Sequence, residues 1–146
     1  YYRSRGYSKI SSSKSGLYKK IMKEAKSLGY TQGSGLGVTK NNNLVTNTWK
    51  SFGYSSGRGC TTYLWTKGTA IDNIDNKKPF IFSLATGYYY NHSIAVYGYK
   101  TYKNKRNGKK YKFLVVSDGW TTAKRYMAWS NTGEGYIGAI TTINKP

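Results

Sequence analysis

Two apolar runs on either side of an Asn-Gly pair constrain the fold of this chain more than any other feature. Residues 94–99 alternate bulky with small side chains, and residues 111–120 are rich in β-branched and aromatic side chains. Both patterns are typical of half-buried strands. Asn107-Gly108 lies between them, and this pair is the strongest short-range signal for a β-hairpin. We therefore predict an antiparallel hairpin whose polar loop covers residues 100–110.

This hairpin is predicted to bring a histidine and an acid together. His92, the only histidine, opens the first strand, and Asp118 ends the second. Histidine exchanges protons near neutral pH, and an Asp bonded to one imidazole nitrogen leaves the other nitrogen free as a base. We expect the Asp118 carboxylate about 2.7–3.2 Å from the imidazole, which makes both residues candidate catalytic groups. The alternative is that His92 only packs or caps.

The residues around this pair resemble a known family. Asn91-His92-Ser93 with the strand that follows it, and Ser117-Asp118-Gly119-Trp120 after the second strand, are similar to the C-terminal half of papain-like cysteine peptidases. The similarity is greatest to the bacterial C39-like and streptopain-like families. Lys77-Lys78-Pro79 ahead of an apolar run also resembles the approach to the family's histidine. The resemblance covers residues 44–143 in the order of elements.

The resemblance implies a thiol peptidase of a secreted bacterial protein, extracellular and from a Gram-positive organism, that acts on a peptide or protein substrate. His92 would be the general base and acid, and Asp118 would orient it. No cofactor is implied. The family's nucleophilic cysteine opens a long buried helix that has no counterpart in this chain. Trp120 is interpreted either as a shield of the polar pair or as ordinary packing.

Cys60 is the only cysteine and is therefore a candidate nucleophile in its own right. Reactive thiols typically lie at a helix N-terminus or beside a cation or a histidine. The residues after Cys60, Thr-Thr-Tyr-Leu-Trp, favour an extended segment instead. We interpret Cys60 as an ordinary strand residue, too far from His92 to share a proton. The alternative is a site of Cys60, His92 and Asp118, like that of cell-wall peptidases of the same broad class.

The first seven residues have the pattern of a helix end. They begin with two tyrosines and no N-cap residue, and Gly6 stands where a glycine would stop a helix. With the resemblance, this predicts a cysteine upstream of Tyr1, about 11 residues or three helical turns back, where the helix dipole lowers a thiol pKa. Without that segment, Phe82, Ile94 and Val96 are expected to expose an apolar sheet face.

Helical patterns fill the first half of the chain and strand patterns the second. Residues 16–28 carry an apolar face at helical spacing, residues 41–52 are a helix that Asn43 can cap, and residues 65–76 are a short helix. The Gly-rich residues 31–40 are a loop. Later strands are predicted at 80–84, 125–129 and 136–143, with a turn at 131–135.

This layout predicts the α+β class, with N-terminal helices packed on a C-terminal antiparallel sheet. At 146 residues the chain is predicted to form a single domain, 1–146. In terms of the resemblance, it would be the greater part of a papain-like catalytic domain, a partial papain-like fold without the nucleophile-bearing N-terminal segment.

Charge supports a second hypothesis of another class. The chain has 24 Lys+Arg against 5 Asp+Glu, a formal charge of +19, and 16 tyrosines. A non-catalytic, Tyr-rich module of this charge would bind anionic cell-wall polymers or other polyanionic surfaces, with tyrosines stacking on sugars or bases. The lysines are interpreted as spread along the chain, and no specific nucleic-acid motif is present. No apolar stretch reaches bilayer-spanning length, and one His with one Cys excludes a structural zinc site.

Overall fold

The computed structural model describes residues 1–63, 67–129 and 138–146. Within these ranges it contains three α-helices and a six-stranded sheet, and the predicted α+β class is confirmed. The helices are α1 (Lys14–Ser27), α2 (Asn41–Ser51) and α3 (Lys67–Asp75), and the strands are β1 (Arg58–Tyr63), β2 (Phe80–Leu84), β3 (His92–Lys103), β4 (Lys110–Ser117), β5 (Arg125–Ala128) and β6 (Gly138–Asn144).

The chain divides into two compact units. One consists of Tyr1–Cys60 with Ile143–Pro146, and the other of Thr61–Thr142. The prediction of a single domain stays a prediction.

The helices of the first unit follow their amphipathic patterns. Ser13 caps α1, because its hydroxyl oxygen accepts a hydrogen bond from the backbone N–H of Gly16 at 3.2 Å. The second helix starts at Asn41, directly after a 3-10 turn at Val38–Lys40. The predicted cap at Asn43 is therefore wrong, since the turn starts the helix two residues earlier and leaves Asn43 inside its first turn.

Trp49 of α2 is the centre of an aromatic cluster in this unit. Its ring lies 5.2 to 5.5 Å from those of Tyr2, Tyr7 and Tyr54, all in edge-on geometry, which aromatic pairs prefer. The same helix packs closely on β1: a Cβ added to Gly59 would lie 2.5 Å from the backbone oxygen of Asn42. The N-terminal 3-10 turn ends at Gly6 with φ +96°, as the sequence predicts.

The sheet has the strand order β1-β6-β2-β3-β4-β5. The predicted hairpin is confirmed as β3 paired antiparallel with β4, from Ala95 opposite Ser117 to Lys103 opposite Lys110. Its loop is shorter than predicted and covers residues 104–109. Gly108 has φ +68° in this loop, a conformation that glycine adopts without steric cost.

One residue in β3 has no partner position in β4. Val96 lies opposite Val116 and Gly98 opposite Val115, so Tyr97 is the extra residue of a β-bulge. The pairing of β3 with β2 stops at Val96.

The apolar face of the sheet is covered by residues of this chain. Phe82, Ile94 and Val96 are at most 1 % exposed, so the expectation that they would form an exposed face is wrong. The side chains that pack with or against them include Ala70, Ile71 and Ile74 of α3 together with Tyr89, Leu114, Met127 and Trp129. The predicted upstream helix with its cysteine stays a prediction.

The remaining predicted elements are confirmed where they are described. The predicted short helix is α3, β2 has its predicted bounds, and the last two predicted strands are β5 and β6. Trp65 and the predicted turn at 131–135 lie outside the described residues. Among the helices of the described ranges, none is both long enough and apolar enough to span a membrane.

Candidate active site

His92 is held where a tight turn feeds into β3. Its backbone N–H donates to the carbonyl of Tyr89 at 3.0 Å, and it lies opposite Leu84 of the buried strand β2. The preceding residue, Asn91, has φ +52°, a left-handed conformation that asparagine tolerates better than most residues. The first residue of a paired strand is thereby fixed, while its half-buried side chain keeps access to solvent.

The structure brings His92 and Asp118 together, as predicted, but through another atom. Imidazole Nε2 lies 2.6 Å from the backbone carbonyl oxygen of Asp118. The predicted contact with the carboxylate is therefore wrong. The physical reason is that other groups already hold the carboxylate.

This contact fixes the imidazole tautomer. A carbonyl oxygen only accepts hydrogen bonds, so Nε2 must carry the proton and donate it. In neutral His92 the lone pair is then on Nδ1. Within the described ranges, Nδ1 makes no hydrogen bond to protein. The arrangement leaves a proton acceptor at Nδ1, on a ring whose orientation is held at Nε2.

Four groups surround the carboxylate of Asp118, a residue that is only 2 % exposed. Oδ1 accepts from the backbone N–H groups of Trp120 at 3.1 Å and Thr121 at 3.4 Å. Oδ2 accepts from the Tyr89 hydroxyl at 3.4 Å and lies 3.6 Å from Arg125 Nε. These contacts fix the turn after β4, and with it the direction of the carbonyl that receives the histidine proton.

Trp120 covers the imidazole. Its ring is stacked on that of His92, with centroids 4.7 Å apart and planes inclined by 22°, while 53 % of the residue stays exposed. Tyr89 stacks at 6.2 Å from His92 and lies 5.3 Å from Trp120. The indole therefore fits both interpretations of Trp120, since it shields the imidazole and also packs against its neighbours. Covering the ring excludes water from it, which strengthens the hydrogen bond at Nε2.

Sequence reasoning missed Tyr89 and Arg125. Burial raises the pKa of Tyr89, and the negative charge of Asp118 and the hydrogen bond to it raise that pKa further. Tyr89 thus stays a protonated donor to Oδ2 well above neutral pH. The only signal for it is its place in the tyrosine run 88–90 ahead of His92. Arg125 opens β5 and lies opposite Val116, two residues before Asp118, which only the strand register reveals.

Cys60 is an exposed residue of β1. The prediction that it lies in an extended segment is confirmed. It belongs to the unit Tyr1–Cys60, whereas His92 belongs to Thr61–Thr142, so the prediction that it lies too far from His92 stays a prediction. Across the described part of the chain, no group of three or more His, Cys, Asp or Glu side chains could hold a metal ion.

A family model described as "Peptidase_C39 like family" matches residues 2–137, a range that includes both His92 and Asp118. Comparisons with curated proteins and with solved structures give no match.

Proposed function

Because the chain belongs to the Peptidase_C39 like family of papain-like cysteine peptidase-related domains, we propose that it forms most of a papain-like catalytic domain that hydrolyses peptide bonds. The predicted family resemblance is confirmed. The observation that carries the proposed activity is the hydrogen bond from His92 Nε2 to the Asp118 carbonyl at 2.6 Å. It supports a base at Nδ1 held in one orientation, which general acid–base catalysis requires.

In the proposed reaction, Nδ1 of His92 takes the proton of a cysteine thiol. The thiolate attacks the peptide carbonyl carbon, so a C–S bond forms and the carbonyl oxygen becomes an oxyanion. The protonated Nδ1 then gives its proton to the leaving amine as the C–N bond breaks. Water activated by the same nitrogen hydrolyses the thioester and regenerates the thiol.

Asp118 is the orienter of His92 in this proposal. Its carbonyl accepts the Nε2 proton, and its carboxylate anchors the turn through Trp120, Thr121, Tyr89 and Arg125.

We assign the nucleophile to a cysteine upstream of Tyr1 rather than to Cys60. Cys60 is exposed and lies within a strand, whereas an activated thiol typically lies at a helix N-terminus or beside a cation or histidine. The proposed substrate is a peptide or protein, and the proposed location is outside a Gram-positive bacterial cell. Both follow from the family resemblance.

The test uses the native polypeptide that contains residues 1–146 and an unfolded protein substrate. We expect His92→Ala to lower kcat by about 10²–10⁴, the usual contribution of a general acid–base group. The control is Tyr90→Ala, a 68 % exposed side chain of the neighbouring turn, which should keep the activity. Unchanged hydrolysis in His92→Ala would overturn the assignment.

A second experiment, on residues 1–146 alone, tests the place of the nucleophile. We expect no peptidase activity from this chain, and alkylation of Cys60 by labelled iodoacetamide at the same rate in the parent chain and in His92→Ala across pH. Faster labelling of the parent chain, lost in His92→Ala, would make Cys60 the nucleophile instead.

A further inference from the structure

The tip of the β3–β4 hairpin concentrates positive charge. We call residues 100–112 the ribbon: they contain six lysines, one arginine and no acid. All of them are exposed except Tyr111, which is half-buried. The sequence-based interpretation that lysines are spread along the chain is wrong here, because seven of the 24 basic residues lie within these 13 positions.

The ribbon extends past the rest of the sheet. The pairing of β3 with β2 ends at Val96, and the pairing of β4 with β5 ends at Phe113. Beyond these points β3 and β4 pair with each other as far as Lys103 opposite Lys110, apart from one bond from Trp129 N–H to the Lys112 carbonyl. Four of the seven basic residues therefore lie in a regular two-stranded structure, and the other three lie in the short loop that closes it.

The register places like charges against each other. Lys103 and Lys110 are directly opposite, and Lys112 lies two residues further along β4 on the same face. Opposed like charges destabilise an antiparallel pair, and the ribbon has no acid to offset them. The repulsion between these lysines opposes folding of the ribbon, whereas an external polyanion bound between their side chains would neutralise it.

The aromatic rings in the ribbon and next to it are already in contact with other side chains. Lys109 Nζ lies 5.7 Å from the centroid of the Tyr111 ring, and Lys112 Nζ lies 5.7 Å from that of Tyr99. Tyr102 packs edge-on against Phe113 at 5.6 Å. The rings support lysine ammonium groups instead of presenting clear faces to stack bases. Recognition by charge alone is favoured, and lysine acts on phosphate as a point charge without the planar fork of arginine.

We propose that the ribbon is a binding surface for a flexible polyol-phosphate chain, which it holds through successive phosphates. A narrow two-stranded ribbon with solvent on both sides lets a flexible polymer contact lysines of both faces. Release of counterions from the polymer drives the association. This interaction is separate from peptide hydrolysis and involves no residue assigned to the candidate active site.

The test measures binding of the 146-residue chain to poly(glycerol phosphate) as a function of salt. The ribbon variant carries Lys103→Gln, Lys105→Gln, Arg106→Gln and Lys110→Gln. The control carries Lys14→Gln, Lys19→Gln, Lys23→Gln and Lys26→Gln, which remove the same charge from exposed positions of α1. Circular dichroism and sedimentation check that both variants fold and keep the association state of the parent chain.

We expect the ribbon variant to bind on the order of tenfold more weakly at 0.15 M salt, and its slope of log K against log salt to shrink by up to about 3, at about 0.7 per lost phosphate contact. The control variant should lose much less affinity, and its slope of log K against log salt should change much less. Equal losses in the two variants would overturn the proposal, because net charge alone would then explain binding. Aggregation of the ribbon variant with unchanged affinity would also overturn it, since the lysines would then only protect strand edges.

Two further probes define the ligand. Single-stranded oligo(dT) with the same number of phosphates should bind the parent chain no more tightly than poly(glycerol phosphate), and polygalacturonate, a carboxylate polymer, should bind more weakly. Tighter binding of oligo(dT) would make the surface a nucleic-acid site and overturn the assignment to polyol phosphate. If the ribbon variant fails to fold, the single substitution Lys110→Gln is compared with Lys19→Gln, with the same expected order of affinities.

Discussion

Single residues at the candidate active site act through more than one group. Asp118 holds the imidazole with its main chain and fixes its own turn with its side chain. Tyr89 contributes a ring to the aromatic stack and a hydroxyl to the carboxylate. Each substitution here should therefore be chosen to remove one group and keep the other.

Tyr89→Phe removes only the hydroxyl that donates to Asp118 Oδ2. We expect the free energy of unfolding at pH 7 to fall by about 1 kcal/mol, less than is usual for a hydrogen bond to a charged group, because this contact is long at 3.4 Å. The pKa of Tyr89 is raised in the fold from its usual value of 10.0, so its protonated form favours the folded state. The contribution is fully present below pH 10 and is lost as pH rises through the folded pKa.

The difference between the parent chain and Tyr89→Phe, measured by urea unfolding, should accordingly shrink above pH 10. Tyr97→Phe, at a 44 % exposed tyrosine of β3, is the control and should show no such trend. A difference that grows with pH would contradict the assigned hydrogen bond.

Trp120→Ala removes the ring that covers His92. Water then reaches the Nε2 proton, and the bond to the Asp118 carbonyl weakens. We expect this proton, followed by NMR, to exchange with solvent about tenfold faster. Trp120→Phe keeps a stacked ring and should restore most of the protection. Equal exchange rates of the Nε2 proton in Trp120→Ala and Trp120→Phe would show that the indole only packs.

The sequence predicted which residues meet at the site but not which atoms. Strand order and the Asn107-Gly108 signal suffice to place His92 beside Asp118. The direction of the Asp118 carboxylate depends on Tyr89 and Arg125, whose approach follows from turn geometry and the register of β5. Neither side chain has a spacing from Asp118 that local periodicity would detect.

At the scale of elements, α2 packs closely against β1 at Gly59. Gly59→Ala would place a methyl group 2.5 Å from the Asn42 backbone oxygen and 2.8 Å from Val45 Cβ. The Asn42 oxygen belongs to the backbone and cannot rotate away as a side chain could, so α2 would have to shift. We expect the free energy of unfolding to fall by about 1–3 kcal/mol, as for other overpacked sites.

The measurement is the midpoint of urea unfolding, with Gly33→Ala as the control. A Cβ at Gly33 would meet nothing within 4 Å, so that variant should unfold near the parent midpoint. Equal midpoints for Gly59→Ala and Gly33→Ala would show that the close packing of α2 on β1 is wrong.

A comparison of predicted and observed element boundaries shows which boundaries a sequence pattern can predict. The strand β2 and the start of α2 agree with their predicted positions because an apolar run and a helical face define them. The hairpin loop is shorter than predicted because β3 and β4 keep pairing through the polar residues 100–103 and 110–112. Backbone hydrogen bonds sustain that pairing without an apolar pattern to reveal it.

For the whole molecule, the formal charge of +19 acts against the folded state. Compact like charges repel each other, and the Debye length shortens from about 30 Å at 0.01 M salt to about 10 Å at 0.1 M. We expect added sodium chloride to raise the melting temperature over this range, by a few degrees for a gain on the order of 1 kcal/mol. The same osmolality of glucose is the uncharged comparison, and a melting temperature that falls with salt would contradict this expectation.

The bulge at Tyr97 lies on the strand that connects the two regions with proposed functions. His92 begins β3 and the ribbon ends it, so the extra residue adds bend and twist between them. Because the pairs on either side involve consecutive residues of β4, deletion of Tyr97 would leave every remaining pair in register. The strand would straighten, and the ribbon would project in a new direction from an unaltered His92. The angle between the proposed catalytic pair and the proposed polymer-binding ribbon would then depend on whether Tyr97 is present.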